Sequence, residues 1–298
     1  VAPQLALLVN PAARGGRTLR LLEPVARRLR AGGAELSVIA GEDAAGALER
    51  ACAAVAERPD ALVAFGGDGL VHLAVQAVAG TDVPLGIIPA GTGNDIAAAL
   101  GLPVKDPIAA ARTVLRMRPR QVDAAAVRIG QGGGGEELFA GVLCCGFDSR
   151  VNERANALTW PPGMARYLVA TARELRSFTP IPFRVTIDGG APIEREAMMV
   201  AVANTCSYGA GMRICPDARP DDGLLDVVVV GAVGKGEFLR VFPRVYRGSH
   251  VTHPAVSVHR ARSVTLEADG VVAYADGERI GPAPVTCEVR PGALRVLA

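Results

Sequence analysis

Apolar positions in this chain fall into short runs that alternate with stretches of helical spacing. Residues 5–9 form an apolar run closed by Asn10-Pro11, and residues 17–31 then carry Leu19, Leu22, Val25, Ala26 and Leu29 at helical intervals. The same strand, turn, helix unit recurs at 36–39 with 44–56, at 61–65 with 71–79 and at 85–88 with 95–100, and a further helical pattern covers 107–116. Strands alternating with helices across short connections predict a parallel sheet covered on both faces, a doubly wound α/β domain. Ligands of such sheets bind beyond the carboxyl ends of the strands.

The texture changes after residue 120. Strand patterns appear at 122–129 and 138–145, joined by the glycine-rich stretch 130–135, which reads as a hairpin tip because no helix follows it. Within 151–178 only the second half looks helical, with Met164, Tyr167, Leu168, Thr171, Leu175 and Phe178 on one face. Strand patterns follow at 183–187, 198–203, 225–230, 256–259, 264–268 and 285–289, interrupted by one helix at 237–246. We therefore expect two domains, 1–120 (α/β) and 121–298 (a β-sandwich), and leave open whether the C-terminal segment packs back on the first domain.

Composition narrows the chemistry. Half of the 298 residues are hydrophobic but only 4% are aromatic, so the core is built largely from Ala, Val and Leu. Lys plus Arg is 32 against 30 for Asp plus Glu, and a net charge of +2 gives no electrostatic case for nucleic acid. The arginine clusters at 27–30 and 112–120 read as solvated helix faces, with contact to an anionic membrane as the other reading. Six cysteines without C-x2-C spacing imply buried free thiols and a reducing cytoplasm. No signal-peptide pattern is visible, and the uncharged stretch 197–212 falls short of the roughly 20 apolar residues that span a bilayer. Membrane contact is expected to be peripheral.

Two glycine turns end strands about 20 residues apart, Gly66-Gly67-Asp68-Gly69 and Gly91-Thr92-Gly93-Asn94-Asp95. Glycines let the backbone approach a ligand and leave amide N–H groups free for anionic oxygens. Asp68 would repel a phosphate unless a cation or a ribose hydroxyl intervened, which suggests a metal-nucleotide complex; a tight turn with Asp68 capping the next helix is the other reading. Thr92 offers a hydroxyl, and Asn94 and Asp95 read equally as donors or plain helix caps. Neither turn matches the G-x-G-x-x-G or G-x-x-x-x-G-K-[ST] pattern.

GGDG after a strand, PAGTGND at 89–95, NPAARGG at 10–16, YGAGMRICPDARPDDGLLDV at 208–227 and DGE at 276–278 together resemble the diacylglycerol kinase catalytic family, which includes bacterial soluble lipid kinases and sphingosine kinases and is related to NAD kinases. The resemblance covers nearly the whole chain. It implies ATP in a cleft between the two domains, with Gly66, Gly67, Asp68, Gly69 and Thr92, and the adjoining Gly91, Gly93 and Asn94, on its phosphates and their Mg2+. Asn10 would line the nucleotide. Asp222, with the backbone carbonyls of Arg219 and Leu224, matches a second, structural Mg2+ site, and Glu278 matches the general base with Asp276 beside it. From the residues alone, 274–278 is a hairpin turn and Asp221-Asp222-Gly223 a β-turn.

Three positions depart from the family. Its first motif usually reads GGDGT, then a hydrophobic residue, Asn and Glu; here Leu70, Val71, His72 and Leu73 follow. Leu70 removes a hydroxyl, and His72 either replaces the amide as a donor or is structural. Residues 40–44, where the family often offers a threonine, contain none.

The expectation is a cytoplasmic, peripherally membrane-associated lipid kinase that uses ATP and Mg2+ on diacylglycerol to give phosphatidic acid. Trp160, Met164, Tyr167 and Leu168 are candidates to line the lipid cleft or touch the membrane, although Trp160-Pro161-Pro162 reads equally as a packed loop. A kinase for a long-chain base or another hydrophobic alcohol, and a nucleotide-binding sensor without turnover, are the alternatives. A homodimer is left open.

Overall fold

The computed structural model describes residues 2–10, 17–130, 135–161 and 164–298. Residues 11–16 of the first motif, 131–134 of the glycine-rich tip and Pro162 lie outside the described residues, as do the side chains of Leu19 and Met164.

Four strands, β1 (Gln4–Val9), β2 (Glu35–Ala40), β3 (Ala61–Gly66) and β4 (Leu85–Pro89), pair in parallel in the order β2-β1-β3-β4. Every residue of β3 and β4 is buried, the signature of central strands covered on both faces. One face carries α1 (Arg17–Ala31) and α5 (Pro107–Leu115), whose Val25, Leu29, Ala110 and Val114 pack on Leu7, Val63 and Ile88. The other carries α2 (Ala44–Ala56), α3 (Asp68–Val78) and α4 (Asp95–Ala99), packed on Leu8, Leu62 and Ile87. Caps set the starts of two helices: Asp43 accepts from Gly46 N at 2.8 Å, and Asp106 accepts from Ile108 N and Ala109 N just before Pro107.

The remainder is the β-sandwich with helices against it. Its elements are β5 (Pro119–Ile129), β6 (Glu136–Phe139), β7 (Val142–Gly146), α6 (Phe147–Ala157), α7 (Met164–Ser177), β8 (Ile181–Ile187), β9 (Ile193–Ala203), β10 (Leu225–Gly231), α8 (Lys235–Val241), β11 (Val256–Ala261), β12 (Ser263–Glu267), β13 (Val272–Ala275), β14 (Glu278–Pro282) and β15 (Val285–Leu297). Long β15 runs antiparallel to β5, and its end adds to the parallel sheet where Val296 meets Leu85 of β4. The two sheets therefore share a strand, which fixes the clefts between them.

Several expectations need correction. The strand read at 138–145 is two, β6 and β7, because the Asp276 carboxylate accepts from the N–H groups of Ala140 (3.0 Å), Gly141 (2.9 Å) and Val142 (3.2 Å) and takes them out of the ladder. The first half of 151–178 is also helical: α6 is mostly polar and buries only Phe147, Ser149, Val151 and Ala155, too few to show an apolar stripe. The strand read at 285–289 continues to Leu297. Cys52 is exposed and Cys206 half-buried, whereas Cys144, Cys145, Cys215 and Cys287 are buried; all six are free. Among the described residues no helix is long and apolar enough to cross a membrane.

Candidate active site

Both glycine turns stand at the carboxyl ends of adjacent strands, Gly66 opposite Pro89, and Ala90 N donates to Gly66 O at 2.8 Å. Helix α3 begins at Asp68 rather than at residue 71, with Gly67 as a cap that supplies no side chain, so the helix opens directly out of the turn. Its first N–H groups lack intrahelical partners, which suits an anion. Leu70 is buried, its side chain lying where a Cβ on Gly66 would come within 2.7 Å. Glu278 is exposed, and its Oε1 sits 2.5 Å from where a Cβ on Gly69 would be, so a side chain at residue 69 would have to displace that carboxylate from the turn.

The second turn is closed by its own asparagine. Asn94, at φ 59°, accepts from Gly91 N at 2.9 Å and donates to Gly91 O at 3.0 Å. It makes no capping bond; the N–H of Ile96 in α4 donates instead to Asp68 of the first turn, at 3.1 Å. Asp68 is thus a cap, but of the helix after the other turn. Asp95 reaches into the sandwich, where its two oxygens accept from Ala210 N and Gly211 N, each at 2.7 Å. Helix α4 has only five residues.

Two cavities lie on opposite sides of these turns. The more polar one, a cleft of about 1050 Å³, is lined by Asn10, by residues 41–44, by Gly66, Gly67, Gly69 and Gly91, and by His72, Glu137 and Glu278. A largely apolar cavity of about 350 Å³ is lined by Asp68, Thr92 and Gly93 on one side and by Val142, Phe147, Tyr167, Leu168, Met212 and Phe242 on the other. Asp276 and Gly277 face the apolar cavity while Glu278 faces the polar cleft. The two glycine turns and the 276–278 turn are therefore a common wall between a polar and an apolar chamber.

The wall is acidic. Burial pushes the pKa of Asp68 up to about 6, with Asp95 and Asp276 adding to the rise and the Ile96 N–H opposing it. Among the described residues lining the apolar cavity there is no Lys or Arg. Asp148, in the first turn of α6, lines it too: one carboxyl oxygen is buried without a partner among the described residues, and burial raises its pKa to about 7. Asp276, at φ 54°, is held by the three N–H groups named above and by His72 Nδ1 at 3.2 Å.

Among the described residues no three His, Cys, Asp or Glu side chains are grouped to hold a metal ion. Mg2+ is commonly held by one or two carboxylates plus substrate phosphates, and Asp68, crowded by two other carboxylates and by no base, fits that use. Asp222 does not fit a cation as it stands. Its Oδ2 is taken by the Arg260 guanidinium and its Oδ1 by Leu224 N at 3.2 Å, with Arg260 also 4.0 Å from Asp226. Arg219 turns to Asp221 at 3.7 Å.

The fold thus gathers Asn10, both glycine turns, Asp276 and Glu278 around one wall, and sets Asp222, Arg219 and Leu224 apart from the residues lining it. Sequence reasoning missed Asp95 as a tie between domains, Asp148, and the partners of His72. Each is fixed by a contact with residues far along the chain or by burial, and no local pattern signals either.

Comparisons with known proteins agree with this architecture. Residues 4–127 match the diacylglycerol kinase catalytic domain and residues 141–298 match the YegS C-terminal NAD kinase beta sandwich-like domain. The diacylglycerol kinase of Mycobacterium tuberculosis (strain ATCC 25618 / H37Rv) is 42% identical over 97% of this chain and 93% of its own length. That of Bacillus subtilis (strain 168) is 28% identical over 93% and 90%. A crystal structure from Bacillus anthracis str. Sterne, provisionally named a diacylglycerol kinase, superposes with a TM-score of 0.78 at 25% identity, covering 99% of this chain and 96% of that one. Yeast NADH kinase, at 10% identity and a TM-score of 0.54 over 99% and 82%, shares the fold alone. With relatives matching along its whole described length and a site built at the strand ends, the chain belongs to the diacylglycerol kinase family of lipid kinases.

Proposed function

We propose that the protein transfers the γ-phosphoryl group of ATP to the hydroxyl of diacylglycerol, giving phosphatidic acid. The observation that carries this reading is the common wall: the more polar cleft with the glycine turns on one face, a largely apolar cavity on the other, and carboxylates at the divide. Transfer between a nucleotide and a lipid alcohol needs both chambers to meet at one point.

Gly66, Gly67 and Gly69, with the start of α3, would cradle the phosphates, assisted by Gly91, Thr92 and Gly93, while Asn10 lines the nucleotide's side of the cleft. Asp68 would hold the nucleotide's Mg2+, which when bound neutralises charge on the transferring group. Glu278, at the edge of the wall beside Gly69, would accept the hydroxyl proton of the acceptor. Asp276 would hold the turn that presents it. Exposed Trp160 and Leu168, on and beside α7, would meet the membrane at the cavity mouth.

A long-chain base is the second reading, favoured by the unpartnered Asp148 carboxyl in a cavity without basic side chains, where an ammonium group would find a counter-ion.

The test is incubation with labelled ATP and Mg2+ and mixed micelles of diacylglycerol or sphingosine, with Glu278→Gln as control. Label in phosphatidic acid that disappears in the variant is the expected result. Label only in the sphingosine product moves the assignment to the second reading. ATP binding with no label in either lipid overturns both.

A further inference from the structure

His72 occupies a position that the phosphate-binding interpretation does not use. It lies one turn into α3, is only 2% exposed, and lines the same cleft as Gly66, Gly67 and Gly69. Its Nδ1 is 3.2 Å from Asp276 Oδ2 and its Nε2 2.9 Å from Glu137 Oε1 on β6. A carboxylate accepts and does not donate, so an imidazole engaging one at each nitrogen carries both protons. Burial pulls its pKa down, but hydrogen bonds to Asp276 and Glu137 outweigh this and raise it to about 10. The next helical turn adds a second tie: Gln76 accepts from Leu138 N at 2.9 Å and donates to Leu138 O.

We infer that His72 is a positioning residue for phosphoryl transfer: as an imidazolium it clamps Asp276 to the helix that carries the phosphate-binding turn, and so fixes the place of Glu278 two residues on. This rests on the proposed role of Glu278. Asp276 holds a left-handed backbone conformation at φ 54° and is followed by Gly277 at φ 89°, the two central residues of the tight hairpin in which Ala275 of β13 pairs with Glu278 of β14. The three N–H groups at 140–142 bind its carboxylate to the sandwich, and His72 binds it to the α/β domain. His72 thereby ties the turn bearing Glu278 to the helix that opens out of the glycine turn, beside the close approach of Glu278 Oε1 to Gly69. Charged groups around the ring are Asp276 on the 275–278 turn, Glu137 and its neighbour Glu136 on β6, and Asp68 one turn back on α3.

The experiment compares His72→Ala, His72→Asn and Glu137→Gln with Glu278→Gln, measuring kcat, KM for ATP and Tm, and follows the ring protons of His72 by NMR, assigned by their loss in His72→Asn. A displaced reacting group costs on the order of 100-fold in rate. We expect His72→Ala to lower kcat by about that factor with KM for ATP unchanged, and Glu137→Gln to lower it less. The wild-type ring should stay doubly protonated from pH 6 to 9. Unchanged kcat in His72→Ala while Glu278→Gln is inactive overturns the inference and leaves the base in place. Activity in Glu278→Gln overturns the base, and the inference with it. Should His72→Ala not fold, Glu137→Gln, whose side chain is 41% exposed, decides: unchanged kcat and a ring that titrates near 6.5 overturn the clamp.

Discussion

Gly67 and Gly91 pack backbone against backbone: a Cβ on Gly91 would lie 2.4 Å from Gly67 Cα and 2.8 Å from Asn94 Oδ1. Neither neighbour yields easily, because one is main chain and the other closes the second turn. Gly91→Ala is therefore expected to push the turns apart, costing about 1–3 kcal/mol and weakening nucleotide binding. Titration calorimetry with ATP and Mg2+, beside a thermal melt, tests it. Wild-type affinity in the variant would mean that the phosphates do not sit between the turns.

What was legible in the sequence follows from how local each requirement is. A glycine turn at the end of a buried strand is a local demand on backbone conformation, so residues 66–69 and 91–95 announce themselves. The parallel sheet is equally plain, because β3 and β4 are unbroken apolar runs. The wall was not legible. It depends on Asp276 capturing N–H groups some 135 residues earlier in the chain, on Asp95 capturing Ala210 and Gly211, and on His72 lying between Asp276 and Glu137. Each residue read alone is a turn or cap residue.

Arg260 and Asp222 make a second prediction. The guanidinium neutralises Asp222 and stands near Asp226, whose Oδ2 is buried without a partner and whose pKa burial raises. Arg260 is half exposed, so the pair itself contributes at most about 1 kcal/mol. Its removal matters more for what it uncovers. Arg260→Ala is expected to lower Tm slightly in chelator and to gain a Mg2+-dependent rise in Tm that the wild type lacks, as binding to the native state requires. Adding Asp222→Asn should abolish that rise. A Mg2+ response equal in wild type and Arg260→Ala would mean that the arginine does not compete for the site.

Asp148 sets a pH dependence. Burial lifts its folded pKa to about 7, above the ordinary carboxylate value of 3.8, so the native state keeps the proton that the unfolded chain has released. Stability is then full below pH 4 and is lost as pH rises through 7. Nearby groups are the Cys144 thiol and, on the adjoining small cavity, His250 and His253. Asp148→Asn removes this term alone. The variant's Tm advantage over wild type should therefore widen from pH 5 to pH 8, by about 2–4 °C for each kcal/mol recovered. An equal Tm difference at both values would mean that the carboxyl is not buried as an acid.

Leu168 tests how the acceptor arrives. Its side chain lines the apolar cavity yet is 70% exposed, and Trp160, 78% exposed, sits on the connection into the same helix. A large apolar side chain in water on a cavity lining, with a second on the connection into the same helix, is best explained by an apolar surface that covers them during turnover. Burying a leucine contributes roughly 1.5–3 kcal/mol, which is about 10- to 100-fold in binding. Leu168→Glu should therefore reduce kcat/KM on long-chain diacylglycerol in vesicles by at least about 10-fold. ATP binding and turnover of a short-chain, water-soluble diacylglycerol should stay near wild type, because the wall is untouched. A similar loss on both acceptors would instead make Leu168 part of the cavity lining alone, with the lipid reaching the wall by another route.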